Sequence, residues 1–113
     1  MLLRQKDKDA LQTIFDTVQI PIEVWAYGSR VSGGAHSGSD LDLVIRSANL
    51  SPLPPAIFND VYWKIKDSNI PILVDLFDWP RLNETFHKNI LQQYEVLFSN
   101  ISEISPASLS LSK

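Results

Sequence analysis

Two aspartates separated by a single residue follow a stretch rich in glycine and serine, and this combination could support phosphoryl chemistry. Asp40 and Asp42 stand at the start of the apolar run 41–45. On a strand, residues two apart leave the same face, with roughly 7 Å between their Cα atoms. Two such carboxylates repel each other, so at least one pKa should rise unless a cation lies between them. Their hard oxygen atoms suit Mg²⁺, which takes a couple of carboxylates together with phosphate oxygens and water.

The dipeptide Gly28-Ser29 opens the same stretch and could hold a phosphate. Gly28 has no Cβ, so a ligand can approach its backbone closely. If a helix begins at Ser29, its free N–H groups and its positive dipole end face this spot, and the Ser29 hydroxyl adds a donor. A phosphate corner beside a Mg²⁺ site would provide the parts of a phosphoryl- or nucleotidyl-transfer centre. The alternative is a Gly/Ser-rich loop in which Asp40 serves as a turn residue.

A third carboxylate, Asp75, is the single charge in the apolar run 71–77. A run that is apolar on both faces predicts a central, buried strand. A carboxylate there is costly unless it is paired or bound to a cation. We therefore expect Asp75 to join Asp40 and Asp42, and we favour it over Asp78, which a turn or a helix cap explains more simply.

The elements that must position these side chains follow from apolar periodicity and from Pro and Gly breaks. Together they form one domain at 1–99, followed by a frayed, serine-rich tail at 100–113. In the last helix we expect an inward stripe of Phe86, Ile90, Leu91 and Tyr94, with Asn83 as the N-cap. The pattern predicts helices at 6–18, 56–68 and 83–94, a helical turn at 30–33, and strands at 22–27, 41–45, 71–77 and 95–98.

Several other side chains have both a functional and a structural interpretation. Arg30 could reach a phosphate or lie solvated in its loop. Trp63 falls on the far side of its helix from the apolar stripe, where it could mark a partner surface or be covered by a loop. For His87 the edge of the core is preferred to a catalytic base. For Trp25 and Tyr27 packing is preferred to stacking on a nucleobase.

Composition excludes several classes of protein. The chain has 113 residues, 44% of them apolar, which suits one domain with a modest core. It has no cysteine, so disulfides and cysteine-based zinc sites are excluded. No apolar run approaches the length of a membrane span and the start does not read as a signal peptide, so we expect a cytoplasmic protein. The net charge of −3 argues against broad electrostatic binding to nucleic acid.

The order Gly-Ser, ten residues, Asp, one residue, Asp resembles the signature of the DNA-polymerase-beta-like nucleotidyltransferases. The segments 24–30, 39–43 and 74–79 also resemble the minimal nucleotidyltransferases (MNT) of bacteria and archaea. These are small proteins usually encoded beside a helical HEPN partner. The resemblance spans roughly residues 8–98. It departs at Ser32, where many relatives carry an arginine, so no basic contact is expected there.

The resemblance implies an α/β (α+β) fold with a small mixed β-sheet flanked by helices. It implies that Gly28 and Ser29 hold nucleotide phosphate and that Asp40, Asp42 and Asp75 bind metal. It also implies an activity, the Mg²⁺-dependent transfer of AMP from ATP to a hydroxyl of a HEPN partner in an antitoxin role.

Two alternatives remain open. The first is a non-catalytic subunit that binds and masks its partner. The second is an adenylyltransferase acting on a small molecule such as an aminoglycoside, although relatives of that type usually carry an extra helical domain. Because no segment is left over for a separate acceptor-binding domain, we expect a second protein to supply the acceptor. The sequence identifies no residue that reads the nucleotide base.

Overall fold

The computed structural model describes residues 1–36 and 38–101. Four strands form one sheet, β1 at 22–27, β2 at 41–47, β3 at 74–78 and β4 at 95–99. Their order across the sheet is β3-β2-β1-β4, in which β1 is antiparallel to β2 and β4, and β2 is parallel to β3. The predicted mixed sheet flanked by helices is therefore confirmed. Of the tail expected at 100–113, residues 102–113 lie outside the described residues. In chain order the elements are α1 (Gln5–Phe15), β1 (Ile22–Tyr27), α2 (Ser29–Ser32), β2 (Leu41–Ser47), α3 (Pro55–Lys66), β3 (Val74–Asp78), a 3₁₀ turn (Trp79–Arg81), α4 (Glu84–Gln92) and β4 (Glu95–Ser99).

One face of the sheet carries the main core. Every second residue of β1 and β2 points to this face, where α1 and α3 cover it with their apolar stripes. As expected, Leu41, Leu43 and Ile45 of β2 face away from Asp42. The fully buried members include Leu11, Phe15, Val24, Leu41, Leu43 and Val61.

The opposite face carries a second, aromatic cluster, to which α4 and the 3₁₀ turn contribute Ile90 and Trp79. Trp25 and Trp79 meet edge to face at 5.7 Å between ring centroids. His87 stacks on Trp79 at 3.9 Å and its Nε2 lies 2.7 Å from the Trp79 carbonyl oxygen. Trp25 and Tyr27 are buried. The packing roles predicted for Trp25, Tyr27 and His87 are confirmed.

The prediction that residues 71–77 form a central strand is wrong. The strand begins only at Val74, and β3 lies at the edge of the sheet beside β2. Phe77 is accordingly 40% exposed. The apolar run misled because its first three residues belong to the loop before the strand, where Leu73 is 53% exposed, so that loop and strand together imitate a longer strand buried on both faces.

The inward stripe predicted for the last helix is wrong in part. Ile90 is buried, but Phe86 is 45% and Leu91 52% exposed. The helix ends at Gln92, so Tyr94 lies beyond it, where it stacks on Trp25 at 3.8 Å between ring centroids. The Asn83 cap is confirmed, since its Oδ1 accepts the Phe86 N–H at 2.9 Å.

Trp63 remains 60% exposed, so the interpretation in which a loop covers it is wrong for the described chain. It lies on α3, edge to face with Tyr62 at 5.3 Å. Across residues 1–36 and 38–101, none of the helices combines the length and apolarity that crossing a membrane requires.

Candidate active site

Gly28 forms a sharp corner between β1 and α2. Its φ of 79° and ψ of −161° belong to a region that essentially only glycine occupies. Its carbonyl oxygen accepts the N–H groups of Val31 and Ser32, both at 3.0 Å, which starts the single turn of α2. A Cβ at this position would collide with Oδ2 of Asp42 and lie 3.3 Å from its Cγ. Glycine therefore allows the Asp42 carboxylate to pack directly against the corner, while Ser29 stays exposed to solvent.

The sheet register brings two of the predicted carboxylates together. Asp42 on β2 is the direct neighbour of Tyr27 on β1 and of Asp75 on β3. Directly paired residues leave the same face of a sheet, so Tyr27, Asp42 and Asp75 form one row across three strands. Asp42 and Asp75 are both half-buried. This row lies at the end of the sheet where the Gly28 corner stands.

The electrostatics of the row are unfavourable for the charges that it holds. Burial raises the pKa of Asp42, and the negative charges of Asp75 and Asp40 raise it further. Burial, followed by the charges of Asp42 and Asp75, raises the pKa of Tyr27 to about 12. Each of these influences disfavours added negative charge, so a cation bound at the row would relieve them.

Asp40 is exposed and precedes β2, two residues from Asp42. In the part of the chain that the structure describes, no group of three or more His, Cys, Asp or Glu side chains is spaced to hold a metal ion by itself. Mg²⁺ does not require such a cage, because it binds through one or two carboxylates and completes its octahedron with substrate phosphates and water. The paired carboxylates of Asp42 and Asp75, with Asp40 beside them, fit that donor set.

Asp78 lies on the opposite face of the sheet from Asp75. It is buried, and its Oδ2 accepts the Leu53 N–H at 3.0 Å and lies 3.7 Å from Arg81 Nε. Burial raises its pKa, which the Leu53 hydrogen bond and the Arg81 charge partly offset. It anchors the loop before α3, and it is separated from the carboxylate row.

The structure contradicts the interpretation of Arg30 as a solvated loop residue. Its side chain is only 5% exposed, so it is not a solvated loop residue. Its Nε donates to the Ser39 carbonyl at 2.9 Å and its Nη1 donates to the Leu2 carbonyl. Arg30 therefore fixes the backbone that leads into Asp40, a role that depends on a distant segment and leaves no local pattern in the sequence.

A cleft of about 410 Å³ opens between the Gly28 corner and α4. Sequence reasoning did not assign it a role. The helical spacing of residues 86, 89 and 90 was a usable signal, because it places them on one face of α4. The cleft is lined by Tyr27, Gly28, Ser32, Phe86, Asn89, Ile90, Gln92 and Gln93.

Comparisons with known proteins give related sequences and related folds. The family model described as polymerase beta, nucleotidyltransferase matches residues 9–103. The chain is 34% identical over 95 residues to the probable protein adenylyltransferase MntA of Haemophilus influenzae, which covers 84% of this chain and 82% of that protein. A crystal structure of a toxin-antitoxin with AMP-PNP matches with a TM-score of 0.64 at 20% identity, over 85% of this chain and 74% of that one.

A structure of a tri-AMPylated Shewanella oneidensis HEPN toxin in complex with an MNT antitoxin matches with a TM-score of 0.61 at 17% identity. It covers 86% of this chain and 73% of that one. At such identities the two structural matches establish a shared fold.

Proposed function

This chain belongs to the polymerase beta nucleotidyltransferase family, and on that basis we propose that it transfers AMP from ATP to a hydroxyl group of a helical, HEPN-class partner protein. In that role it would act as an antitoxin in the cytoplasm. The support is the similarity to a probable protein adenylyltransferase and to an MNT antitoxin solved with an AMPylated HEPN toxin.

The carboxylate row and the Gly28-Ser29 corner have different roles in this proposal. Asp42 and Asp75, with Asp40, would hold Mg²⁺, which when bound neutralises charge around the α-phosphorus. The Gly28-Ser29 corner anchors the phosphates that depart. Asp75, on the edge strand, either helps to hold the ion or accepts the proton of the attacking hydroxyl.

The reaction forms one bond and breaks another. The acceptor hydroxyl oxygen bonds to the α-phosphorus, the bond from that phosphorus to the bridging oxygen breaks, and pyrophosphate leaves. AMP remains on the acceptor.

The observation that carries this proposal is the direct pairing of Asp42 with Asp75 beside the Gly28 corner. Each influence on Asp42 raises its pKa, so the fold maintains a concentration of negative charge at a half-buried position. Groups perturbed in this way cluster at functional sites.

The test is to incubate the protein with the product of the neighbouring gene, ATP labelled at the α-phosphate, and Mg²⁺. We expect label on the partner with the wild type and none with Asp42→Asn, while Asp67→Asn, which changes an exposed aspartate at the end of α3, behaves as the wild type. A tight complex without label under any condition would instead support the masking subunit. Label on an added aminoglycoside would support the small-molecule enzyme.

A further inference from the structure

The outer edge of β3 carries exposed apolar side chains close to Asp75. Residues two apart on a strand leave the same face, so Phe77 lies on the face that carries Asp75, and it is 40% exposed. Leu73 directly precedes the strand and is 53% exposed. Among the described strands only β2 pairs with β3, so the other edge of β3 is open. Exposed apolar residues beside an open edge indicate a surface that another molecule covers.

A groove of about 270 Å³ lies beside this edge, between the end of α3 and the segment that leads into β3. Its lining is apolar except for Lys66, and Ile65, Ile70 and Leu73 are among its members. Lys66 is exposed, and the ion pairs of the described residues do not include it. Its Nζ lies 5.2 Å from the ring centroid of Tyr62. The groove is thus an apolar surface with one cationic group at its border.

The groove adjoins the strand that holds the third carboxylate. Leu73 and Val74 line it, and Asp75 follows them directly in the chain. A molecule seated in the groove therefore lies within roughly 7 Å, along the chain, of the carboxylate on the acceptor side of the proposed reaction. Apolar contacts at that distance favour a protein over a small polar acceptor, which has little apolar surface to bury.

The shape and charge of the groove favour an amphipathic helix as its occupant. Helices dock into apolar grooves through a stripe of side chains at positions i, i+3, i+4 and i+7. The ammonium group of Lys66 at the border is complementary to an acidic residue beside such a stripe. An added strand would need pockets that alternate along β3, whereas the groove is gathered at the end where β3 begins.

We propose that the β3 edge surface, which comprises Lys66, Leu73 and Phe77 with the groove between α3 and β3, is where the acceptor protein docks. An amphipathic helix of that protein places its apolar stripe in the groove and an acidic residue against Lys66, which brings the acceptor hydroxyl to Asp75. The inference rests on the proposed function for the identity of the acceptor. It adds the surface that selects a protein, which the carboxylate row and the corner do not supply.

The first test removes an apolar contact. Isothermal titration calorimetry with the product of the neighbouring gene gives the Kd of the complex, and label transfer at varied concentrations of that protein gives KM and kcat. Leu73→Ser should raise Kd and KM on the order of tenfold, the scale of one important interface side chain, and leave kcat within about twofold. Val96→Ser is the matched control, because Val96 is 48% exposed on β4, at the opposite edge of the sheet.

The second test reverses the charge at the border of the groove. Lys66→Glu should raise the Kd of the complex on the order of tenfold and weaken its dependence on salt. Lys64→Glu is the matched control, since it makes the same change in net charge two residues earlier, on a different face of α3. The Kd for α,β-methylene-ATP, which cannot transfer AMP, should stay at the wild-type value in all four variants.

Two results would overturn the docking surface. The first is an unchanged Kd of the complex in both Leu73→Ser and Lys66→Glu. The second is an equal loss of affinity in the two control variants, which would show that the effects are not specific to the edge of β3.

This proposal and the proposed function fail in different ways. A complex that depends on Leu73 and Lys66 but receives no label would reject the transfer and keep the docking surface. Label transfer that is insensitive to both substitutions would do the reverse. A neighbouring gene product that neither binds nor accepts label would reject both.

Discussion

Two charged residues on the same face of β2 have neighbours of opposite kinds: one lies beside a like charge and the other beside an opposite charge. Asp42 and Arg46 are four residues apart, about 13 Å along the strand. Asp42 pairs with Asp75, a like charge, whereas Arg46 pairs with Glu23, an opposite one. The Arg46 guanidinium also lies 3.9 Å from the Trp25 ring centroid and 4.4 Å from that of Trp79.

The pKa shifts express the same contrast. Burial lowers the pKa of Arg46, but the charge of Glu23 opposes that shift and favours the guanidinium. At Asp42 burial and both neighbouring carboxylates act in one direction and raise the pKa. We infer that the Arg46 end of this face serves folding, while the Asp42 end keeps an electrostatic cost that is relieved when a cation binds. The predictions below test that division.

The largest effect is expected from Asp42→Asn. Because a metal-supported site contributes several kcal/mol to the transition state, AMP transfer should fall on the order of 10³-fold. The free energy of unfolding should not fall, and should rise by less than about 1 kcal/mol because a repelled charge is removed. Initial rates of label transfer and urea denaturation measure the two quantities. A protein that loses stability and keeps its activity would reverse the comparison.

The next effect separates backbone strain from crowding at the corner. Gly28 and Gly33 both have positive φ, but only a Cβ at Gly28 would collide with Asp42, since nothing lies within 4 Å at Gly33. Alanine at either position should cost about 1–3 kcal/mol of stability. Gly28→Ala should also displace the carboxylate and reduce transfer about 10²-fold, measured well below the unfolding temperature. Equal losses of activity in the two variants would mean that the contact with Asp42 is unimportant.

How much could be predicted from the sequence also differs between features that are local in the chain and features that depend on pairing between strands. The Gly-Ser corner and the alternation around Asp42 are local, and the strand at 22–27 agrees with the structure to the residue. Asp75 was selected by an argument that assumed a central strand, which is wrong, since β3 is at the sheet edge. Its place beside Asp42 depends on the register between β2 and β3, which periodicity does not specify.

The features that sequence reasoning missed are all non-local. Arg46 received no role because its two tryptophans are 21 and 33 residues away in the chain. Arg30 was judged by its loop, although its partners include the Leu2 carbonyl. Phe86 was assigned to the core because its spacing fits an apolar stripe, but in the structure it is 45% exposed and lines the open cleft beside the corner.

A smaller effect on activity, with a clear effect on folding, is expected at Arg46. Arg46→Met should lower the free energy of unfolding by about 2 kcal/mol, the scale of a desolvated cation–π contact, and leave transfer within a fewfold of the wild type. Arg46→Lys should recover only part of the loss, because an ammonium group lacks the planar face that stacks on tryptophan. Urea denaturation followed by circular dichroism gives the stability. A loss of transfer larger than the loss of folded protein would place Arg46 in the active site.

The smallest effect is a dependence of stability on pH at Asp42. Its pKa is raised in the folded state, so its favourable contribution is present below the ordinary carboxyl pKa of about 4 and is lost as pH rises through the raised value. Asparagine cannot ionise, so the stability advantage of Asp42→Asn should be smallest near pH 4 and grow towards about pH 7. The raised pKa of Asp78 does not affect this difference, because Asp78 is present in both proteins.

Excess Mg²⁺ sharpens that measurement, because the ion binds the ionised carboxylate and stabilises the wild type by mass action. Urea denaturation of the wild type and of Asp42→Asn across this pH range, with and without Mg²⁺, gives the difference between their free energies of unfolding. That difference should widen as pH rises and narrow when the ion is added. At Arg46 the same ion should change nothing, because a guanidinium group is a cation with no acceptor for Mg²⁺. A difference in the free energy of unfolding that is independent of both pH and Mg²⁺ would mean that the Asp42 carboxylate carries no electrostatic cost, and the distinction between the two ends of β2 would be lost.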